Sequence, residues 1–270
     1  MTKPILHQRK PNLETISESI YDHPRYYDLV YGSDTAAELN FLDKINEKFL
    51  KGKSRQLFEP ACGTGRLLYK LSKRNFQVEG IDLNEKAVEF SNQRFKRHGL
   101  EPTAWVADMS DFKSKKKFDL AFNTINSFRH LTSEKAALDH LNCMSDCSKR
   151  GGMYLIGFNL TPTTADGLDR ESWSARRGHL AVMTQMWTIE HDTKKRVERF
   201  GIWFDVYTPT KMFRIKDELK MRSYTPNQFS KLVGKSDWEI VETYDFVYNI
   251  EKPIVVDSAT EDVIYALRKK

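Results

Sequence analysis

The chain has 270 residues, of which 40% are hydrophobic and 30% charged, proportions typical of a globular protein with a real core. No apolar run approaches the roughly 18–20 residues that a membrane-spanning helix needs, and the start "MTKPILHQRK" lacks the apolar region of a signal peptide. We therefore expect a cytoplasmic protein. The net charge of +6 is modest, so we do not expect nucleic acid as its partner.

The N-terminal part is predicted to be helical. Residues 33–52 place Leu39, Leu42 and Ile45 at helical spacings, with Ser33 or Asp34 as the cap and a glycine as the stop. An aromatic stretch, "YYDLVYG" (26–32), comes before this helix.

From residue 56 onward, strands and helices alternate, which favours a parallel sheet with helices on both faces. The predicted strands lie at 55–60, 76–83, 102–109, 117–125 and 153–160. The predicted helices lie at 63–75, 84–99 and 132–152, the last ending on a glycine pair.

The pattern then changes. Residues 179–222 alternate with a period of two, which predicts an antiparallel meander of three or four strands. A helix follows at 225–236, capped by Thr225, and two strands at 238–246 and 261–270 end the chain.

Two local patterns have plainer interpretations than a site. Cys143 and Cys147 lie four residues apart on a predicted helix, but no further ligand completes a metal set, so buried free thiols are favoured. The run "KSKKK" (113–117) has no aromatic residues among its lysines, which favours a solvated loop over a nucleic-acid surface.

The stretch "EPACGTGRLL" (59–68) has a glycine-rich turn between a predicted strand and helix. It lacks the third glycine of a dinucleotide fingerprint and the Gly-Lys-Ser/Thr of a triphosphate loop. Glu59, at the strand end, would repel phosphate but attract a cation. Asp82 ends the next strand and can accept from ribose hydroxyls, and Asp108 and Met109 end the third strand and suit an adenine. This outline of a cationic, phosphate-free nucleoside indicates S-adenosylmethionine (SAM).

Five stretches in this order resemble the motifs of the class I SAM-dependent methyltransferases: "EPACGTGRLL", "GIDLNEKAV", "ADMSDF", "FDLAFNTINSFRHL" and "DVIYALRK". The resemblance covers roughly residues 20–160 and 223–270. It implies an α/β fold, a Rossmann-like seven-stranded sheet whose last strand runs antiparallel, with helices on both faces and an inserted antiparallel β meander.

The resemblance also implies a division of the chain. Residues 1–55 would form an N-terminal helical segment over the cofactor cleft, residues 56–162 and 223–270 the SAM-binding core, and residues 163–222 the β insertion. The insertion could be one wall of an acceptor pocket or the face of a homodimer.

The resemblance assigns the cofactor contacts residue by residue. Glu59, Ala61 and Gly63 would contact the methionine portion. Asp82 would hold the ribose, and Leu83, Asp108 and Met109 would surround the adenine. Asn123 would lie near the sulfonium. The further candidates for cofactor binding are Tyr31, Cys62, Gly65 and Arg66.

His130 is the candidate for acceptor chemistry, because a histidine beyond the fourth strand can position or deprotonate an amine or hydroxyl. The alternative is that it packs at the start of the following helix. Tyr27, one helical turn before Tyr31, could close the methyl channel or belong to a core stripe. Arg176 and Arg177 could meet an anionic acceptor group or be surface charges.

The sequence therefore predicts a SAM-dependent methyltransferase (EC 2.1.1.-) that releases S-adenosylhomocysteine. It resembles the small-molecule N-methyltransferases of the aminosugar N,N-dimethyltransferase type. The acceptor would be a small molecule, at an amine nitrogen or a hydroxyl oxygen, and no metal is expected. The alternatives are an RNA or protein methyltransferase, or a SAM-binding protein without activity.

Overall fold

A computed structural model describes residues 13–161 and 170–270. Within these ranges the chain forms twelve strands and six helices. In order they are β1 (Glu14–Ser17), α1 (Pro24–Tyr31), α2 (Ala36–Leu50), β2 (Gln56–Pro60), α3 (Leu68–Ser72), β3 (Gln77–Asp82), α4 (Glu85–Arg97), β4 (Ala104–Val106), β5 (Phe118–Asn123), α5 (Glu134–Cys147), β6 (Ser148–Asn159), β7 (Arg170–Arg177), β8 (Leu180–Asp192), β9 (Val197–Tyr207), β10 (Met212–Arg222), α6 (Pro226–Val233), β11 (Trp238–Tyr244) and β12 (Asp262–Lys269). Two short 3₁₀ turns lie at Ile20–Asp22 and Ser127–His130.

The larger sheet has seven strands in the order β11-β12-β6-β5-β2-β3-β4. β12 runs antiparallel to both of its neighbours, whereas β2 to β6 pair in parallel. The predicted fold class is therefore confirmed, including the reversed last strand. The strand order turns back at β2, whose two neighbours, β3 and β5, both follow it in the chain.

Successive side chains of the strands supply two hydrophobic cores, one on each face of this sheet. Leu57 packs among residues from α2, α3 and α4, such as Phe41 and Phe95. The next residue, Phe58, packs on the other face with residues from α5 and α6, such as Leu141. This alternation is the period of two that a strand requires, and burial on both faces explains why these strands are so apolar.

The smaller sheet has five strands in the order β1-β10-β9-β8-β7. Strands β7 to β10 form an antiparallel meander, as residues 179–222 predicted, and the meander extends back to Arg170. β1 adds to its edge in parallel with β10. The expectation of a wholly helical N-terminal segment is therefore wrong at Glu14–Ser17, where Thr15 and Ile16 suit an extended strand. Predictions for residues 1–12 and 162–169 lie outside the described residues.

Several predicted helix ends were wrong. The cap of α2 is Thr35 rather than Ser33 or Asp34, and α3 begins only at Leu68 because the glycine-rich stretch before it forms turns. α5 ends at Cys147, and the glycine pair lies inside β6. A Cβ on Gly152 would approach the backbone of the neighbouring strand, so glycine serves strand packing there and not a helix stop.

A buried ion pair joins α2 to the glycine-rich turn. The Arg66 guanidinium binds Glu38 with both terminal nitrogens, one of them at 2.8 Å from Oε1. Thr124 also donates to this carboxylate, over 2.8 Å. Both members of the pair are almost excluded from water, with side-chain exposures of 11% and 6%. This pair connects the N-terminal helix to the ends of β2 and β5.

We expect Arg66→Ala to lower the free energy of unfolding by about 3–5 kcal/mol, because it leaves the buried Glu38 carboxylate without its cationic partner. Denaturant unfolding followed by circular dichroism measures the change. Arg74→Ala is the matched control, because its pair with Asp43 is about one-third exposed and should cost less than about 1 kcal/mol. Equal losses in the two variants would contradict a structural role for the buried pair.

Candidate functional site

A cavity of about 1080 Å³ lies between the two sheets, at the carboxyl ends of the parallel strands. One half is bounded by the loops after β2, β3, β4 and β5, and the other by the inner face of the meander. α1 and the turn before it also line the cavity. The candidate site residues on its wall are Tyr27, Tyr31, Ala61, Gly63, Asp82, Leu83, Asp108, Met109 and His130.

The loop after β2 is shaped by backbone conformation and by Asp82. Ala61, Gly63 and Gly65 all have positive φ values, of 54°, 52° and 64°. A Cβ on Gly63 would meet no atom within 4 Å, so this glycine leaves open space for a ligand. The Gly63 N–H donates to Asp82 Oδ2 over 2.7 Å, which ties the loop to the end of β3.

Three predicted cofactor contacts do not line the cavity. They pack or pair with residues on the side of the loop that faces away from the cavity. A Cβ on Gly65 would collide with Ser91 of α4. Glycine is therefore required at this position because the loop packs closely against that helix. Cys62 is buried against β3, and burial raises the pKa of its thiol. Arg66 is engaged by Glu38, as described above.

Glu59 and Asn123, also predicted as cofactor contacts, lie buried at the strand ends and are not among the residues that line the cavity. Within residues 13–161 and 170–270, Glu59 Oε2 and Asn123 Oδ1 have no hydrogen-bond partner. Burial raises the pKa of Glu59 well above its usual range, although Arg66 opposes the shift. A cation placed beside this carboxylate would remove the cost of its buried charge, so the pair of atoms suits a cationic ligand.

Asp82 and Asn84 hold the edge of the cavity together. Asp82 Oδ1 accepts from the Asn84 N–H over 2.8 Å, and burial raises the pKa of Asp82 although this bond and the one from Gly63 lower it. Leu83 is 72% exposed on the cavity wall, where its side chain offers an apolar surface to a flat ring.

The loop after β4 is fixed by a buried histidine that the sequence did not indicate. His140 Nδ1 lies 2.8 Å from the Met109 carbonyl oxygen, and Nε2 lies 2.7 Å from the Tyr154 hydroxyl. Burial lowers the pKa of His140 to about 4, so the ring is neutral; Nδ1–H donates to Met109 and Nε2 accepts from Tyr154. Asp108 anchors the same loop through the N–H and hydroxyl of Ser110, both at 2.7 Å.

His130 lies in the 3₁₀ turn after β5, and its partner comes from the N-terminal segment. Its Nε2 is 2.9 Å from the Tyr21 hydroxyl. Burial, and then the charge of Arg129, lower the pKa of His130, whereas Asp217 raises it. Tyr21 was not among the sequence-predicted residues, because nothing in "SESIYDHP" distinguishes it from a core tyrosine. Only the tertiary fold brings it to the cavity.

Tyr27 and Tyr31 share one face of α1, as their spacing predicts. The ring of Tyr27 lies 5.3 Å from that of Tyr21 and 4.6 Å from that of Tyr31. Burial raises the pKa of Tyr27 to about 12, so its hydroxyl is protonated at neutral pH. Tyr27 therefore offers an aromatic wall and a neutral hydroxyl, not a base.

The N-terminal segment is held over the cavity at several points. Asp28, only 2% exposed, accepts from Thr64 over 3.0 Å and pairs with Arg94 of α4 at 2.5 Å. Asn84 donates to Asp22 over 2.6 Å. On the meander side, Asp217 accepts from the Ile20 N–H over 3.0 Å.

Within the described part of the chain, no group of three His, Cys, Asp or Glu residues could hold a metal ion. Cys143 and Cys147 are free thiols there. Across the same ranges, no helix is both long and apolar enough to span a membrane.

Residues 58–152 match the family model described as a methyltransferase domain. A protein of Geobacillus sp. (strain WCH70), provisionally described as a methyltransferase, is 20% identical over 122 residues, which are 45% of this chain. The match spans only 49% of that relative.

Solved structures of similar fold extend over almost the whole chain. A SAM-dependent methyltransferase from Clostridium acetobutylicum ATCC 824 aligns with a TM-score of 0.74 and 20% identity, over 91% of this chain and 96% of the other. The sugar N-methyltransferase KedS8 from Streptoalloteichus sp. ATCC 53650 aligns with a TM-score of 0.71 and 17% identity, over 100% of both chains. The chain thus has the class I SAM-dependent methyltransferase fold. SAM is the cofactor by which the Clostridium protein is described.

The cavity fits this cofactor on its own chemistry. The unpartnered Glu59 oxygen suits the amino group of the methionine portion, and the open space at Gly63 lets a ligand approach the backbone. Asp82 can accept from ribose hydroxyls, and the loop held by His140 provides an adenine wall. These roles of single residues are our assignments.

We expect Asp82→Asn to weaken S-adenosylhomocysteine binding roughly 10- to 100-fold, because a charged hydrogen bond contributes about 1.5–3 kcal/mol. Isothermal titration calorimetry measures the affinity. Asp139→Asn is the control, since this helix-surface carboxylate pairs only with Lys135 in the described chain and should leave binding unchanged. Unchanged binding in Asp82→Asn would contradict the ribose assignment.

Proposed function

We propose that the chain transfers a methyl group from SAM to the amine nitrogen of a small molecule. The observation that carries this proposal is that a single cavity joins the cofactor half, at Gly63 and Asp82, to a second half on the meander. His130 lies on the wall of that cavity and is held by Tyr21. The same arrangement supports a division into a core at 56–162 and 223–270 and an acceptor wall at 163–222.

When bound, SAM supplies an electrophilic methyl group, whose carbon–sulfur bond breaks as an acceptor lone pair attacks. The residues of this chain align the acceptor and remove one proton. His130 can take that proton because its lowered pKa keeps it neutral at pH 7. When Nε2–H donates to the Tyr21 oxygen, Nδ1 carries the free lone pair.

The basicity of His130 favours an amine over a hydroxyl as the acceptor. Burial lowers the pKa of His130 below 6.5, so the imidazole is a weak base. Such a base removes a proton from an ammonium group far more readily than from an alcohol. Among the described residues, no metal-binding cluster could acidify a hydroxyl instead.

The surroundings of the cavity support a small acceptor. It is covered by the meander on one side and by the N-terminal segment on another. The lysine-rich run at 113–117 precedes β5 and so lies at the opposite end of the parallel strands. Lys116 there is paired with Glu79, and Lys117 with the Asp146 carbonyl oxygen. A basic surface at this end does not deliver a nucleic acid to the cavity.

Incubating the protein with methyl-labelled SAM and a panel of small primary amines, with the matching alcohols, tests the proposal. We expect label in one or more amines, detected by mass spectrometry, and formation of S-adenosylhomocysteine. Label in alcohols only would overturn the choice of nitrogen. If the protein binds SAM and methylates neither set, while a cell extract of macromolecules is labelled, the small-molecule proposal fails.

The pH dependence of kcat tests the role of His130. A group with a lowered pKa is active as a base above that pKa, so kcat should fall only as the pH drops through a value below 6.5. In His130→Gln we expect kcat to fall roughly 100-fold or more and this acidic limb to disappear, while SAM affinity is kept. Unchanged turnover in His130→Gln would leave the histidine with only a packing role.

A further inference from the structure

The acceptor half of the cavity is unevenly charged. Three acidic side chains lie on its wall: Glu171 on β7, Glu198 on β9 and Glu261 before β12. Among the described lining residues, the one Lys or Arg is Arg129. A cleft lined by one sign of charge concentrates that field between its low-dielectric walls. The acceptor half should therefore attract cations.

The charge of Arg129 is already neutralised. Its guanidinium pairs with Glu198, and its Nε donates to the Arg222 carbonyl oxygen over 3.0 Å. The Arg129 side chain is 4% exposed. The Thr161 hydroxyl donates to the other oxygen of the Glu198 carboxylate over 2.6 Å. An incoming phosphate would have to break this buried pair, which costs several kcal/mol. Arg129 is therefore not available as an anion site.

The other two carboxylates differ from Glu198. In the part of the chain that the structure describes, Glu171 and Glu261 make no side-chain hydrogen bond or ion pair, and both are exposed to the cavity and its mouth. They add uncompensated negative charge. Burial, and then the neighbouring Tyr27, raise the pKa of Tyr31, and the charge of Glu171 lies close enough to add to this shift.

A row of aromatic rings leads from His130 to the part of β7 that carries Glu171. The row consists of Tyr21, Tyr27, Tyr31 and Trp173, whose successive ring centroids are 5.3, 4.6 and 6.1 Å apart. Trp173 lies two residues after Glu171 on β7, and alternation along a strand directs both side chains to the same face. Aromatic faces together with carboxylates are the surroundings that organic ammonium groups prefer.

We propose that the acceptor half binds an organic cation without a phosphate group, with Glu171 and the aromatic row as its specificity determinants. The inference rests on the proposed function, which places an amine acceptor in this half. It predicts that a phosphate or diphosphate on the acceptor weakens binding to the described part of the cavity wall. The acceptor binds as an ammonium ion along the row and loses its proton to His130 before it is methylated.

Three probes of similar shape test the charge preference on the full chain saturated with S-adenosylhomocysteine. They are choline, its neutral isostere 3,3-dimethylbutan-1-ol, and phosphocholine. Calorimetry should show choline binding about tenfold more tightly than the neutral isostere, and phosphocholine binding more weakly than choline. Choline carries no transferable amine hydrogen, so the measurement is independent of turnover.

Two variants assign the preference to residues. Glu171→Gln should weaken choline binding roughly three- to fivefold and leave the neutral isostere unchanged. Trp173→Leu should reduce the difference between choline and the isostere. Glu239→Gln, an exposed carboxylate on β11 far from the cavity wall, is the matched control and should change neither affinity.

The outcomes separate this inference from the proposed function. If S-adenosylhomocysteine binds but choline does not, or if choline and the isostere bind equally, the cation site is overturned and the methyltransferase proposal stands. Phosphocholine binding at least as tightly as choline overturns the predicted weakening by a phosphate group. If the unaltered protein does not bind S-adenosylhomocysteine, the proposed function itself is overturned.

Discussion

The strand order of the larger sheet is the constraint on which the site depends. β2 is flanked by β3 and β5, so the chain leaves its carboxyl end in one direction and later returns on the other side. Connections that diverge from one strand leave a crevice at the carboxyl edge, and ligands of doubly wound sheets bind there. The short polar loops after β2, β3 and β4 meet at this crevice for the same reason.

The second constraint is that the crevice needs a cover from elsewhere in the chain. The N-terminal segment contacts both sheets at once, through Asp28 to the glycine-rich turn and through Ile20 to Asp217 of the meander. Since Tyr21 also binds His130, the cover is bonded to the residue proposed as the base. A change in the seating of this segment would therefore alter the acceptor half and the base together.

The glycine-rich turn has a more divided role than its motif suggests. Gly63 leaves open space at the cavity, whereas Gly65 is glycine because Ser91 leaves no room for a side chain. Asp82 faces the cavity and also accepts from the Gly63 N–H, so it fixes the conformation of the loop after β2. Arg66, inside the same motif, belongs to the buried pair with Glu38. The motif thus contains both cavity-lining residues and packing residues.

The sequence by itself determined the parallel core and the meander, because these depend on the local periodicity of strands and helices. It also predicts the class of cofactor, from acids at strand ends such as Glu59 and Asp82. It did not determine the exact helix ends at α3 and α5, where turns and sheet packing override local propensity. Only the tertiary structure decided that Tyr21 meets His130, that His140 fixes the loop at Met109, and that Glu171 and Trp173 face the cavity. These pairs are distant in the chain or carry no periodic signal, and their chemistry arises from contacts that only the packed sheets create.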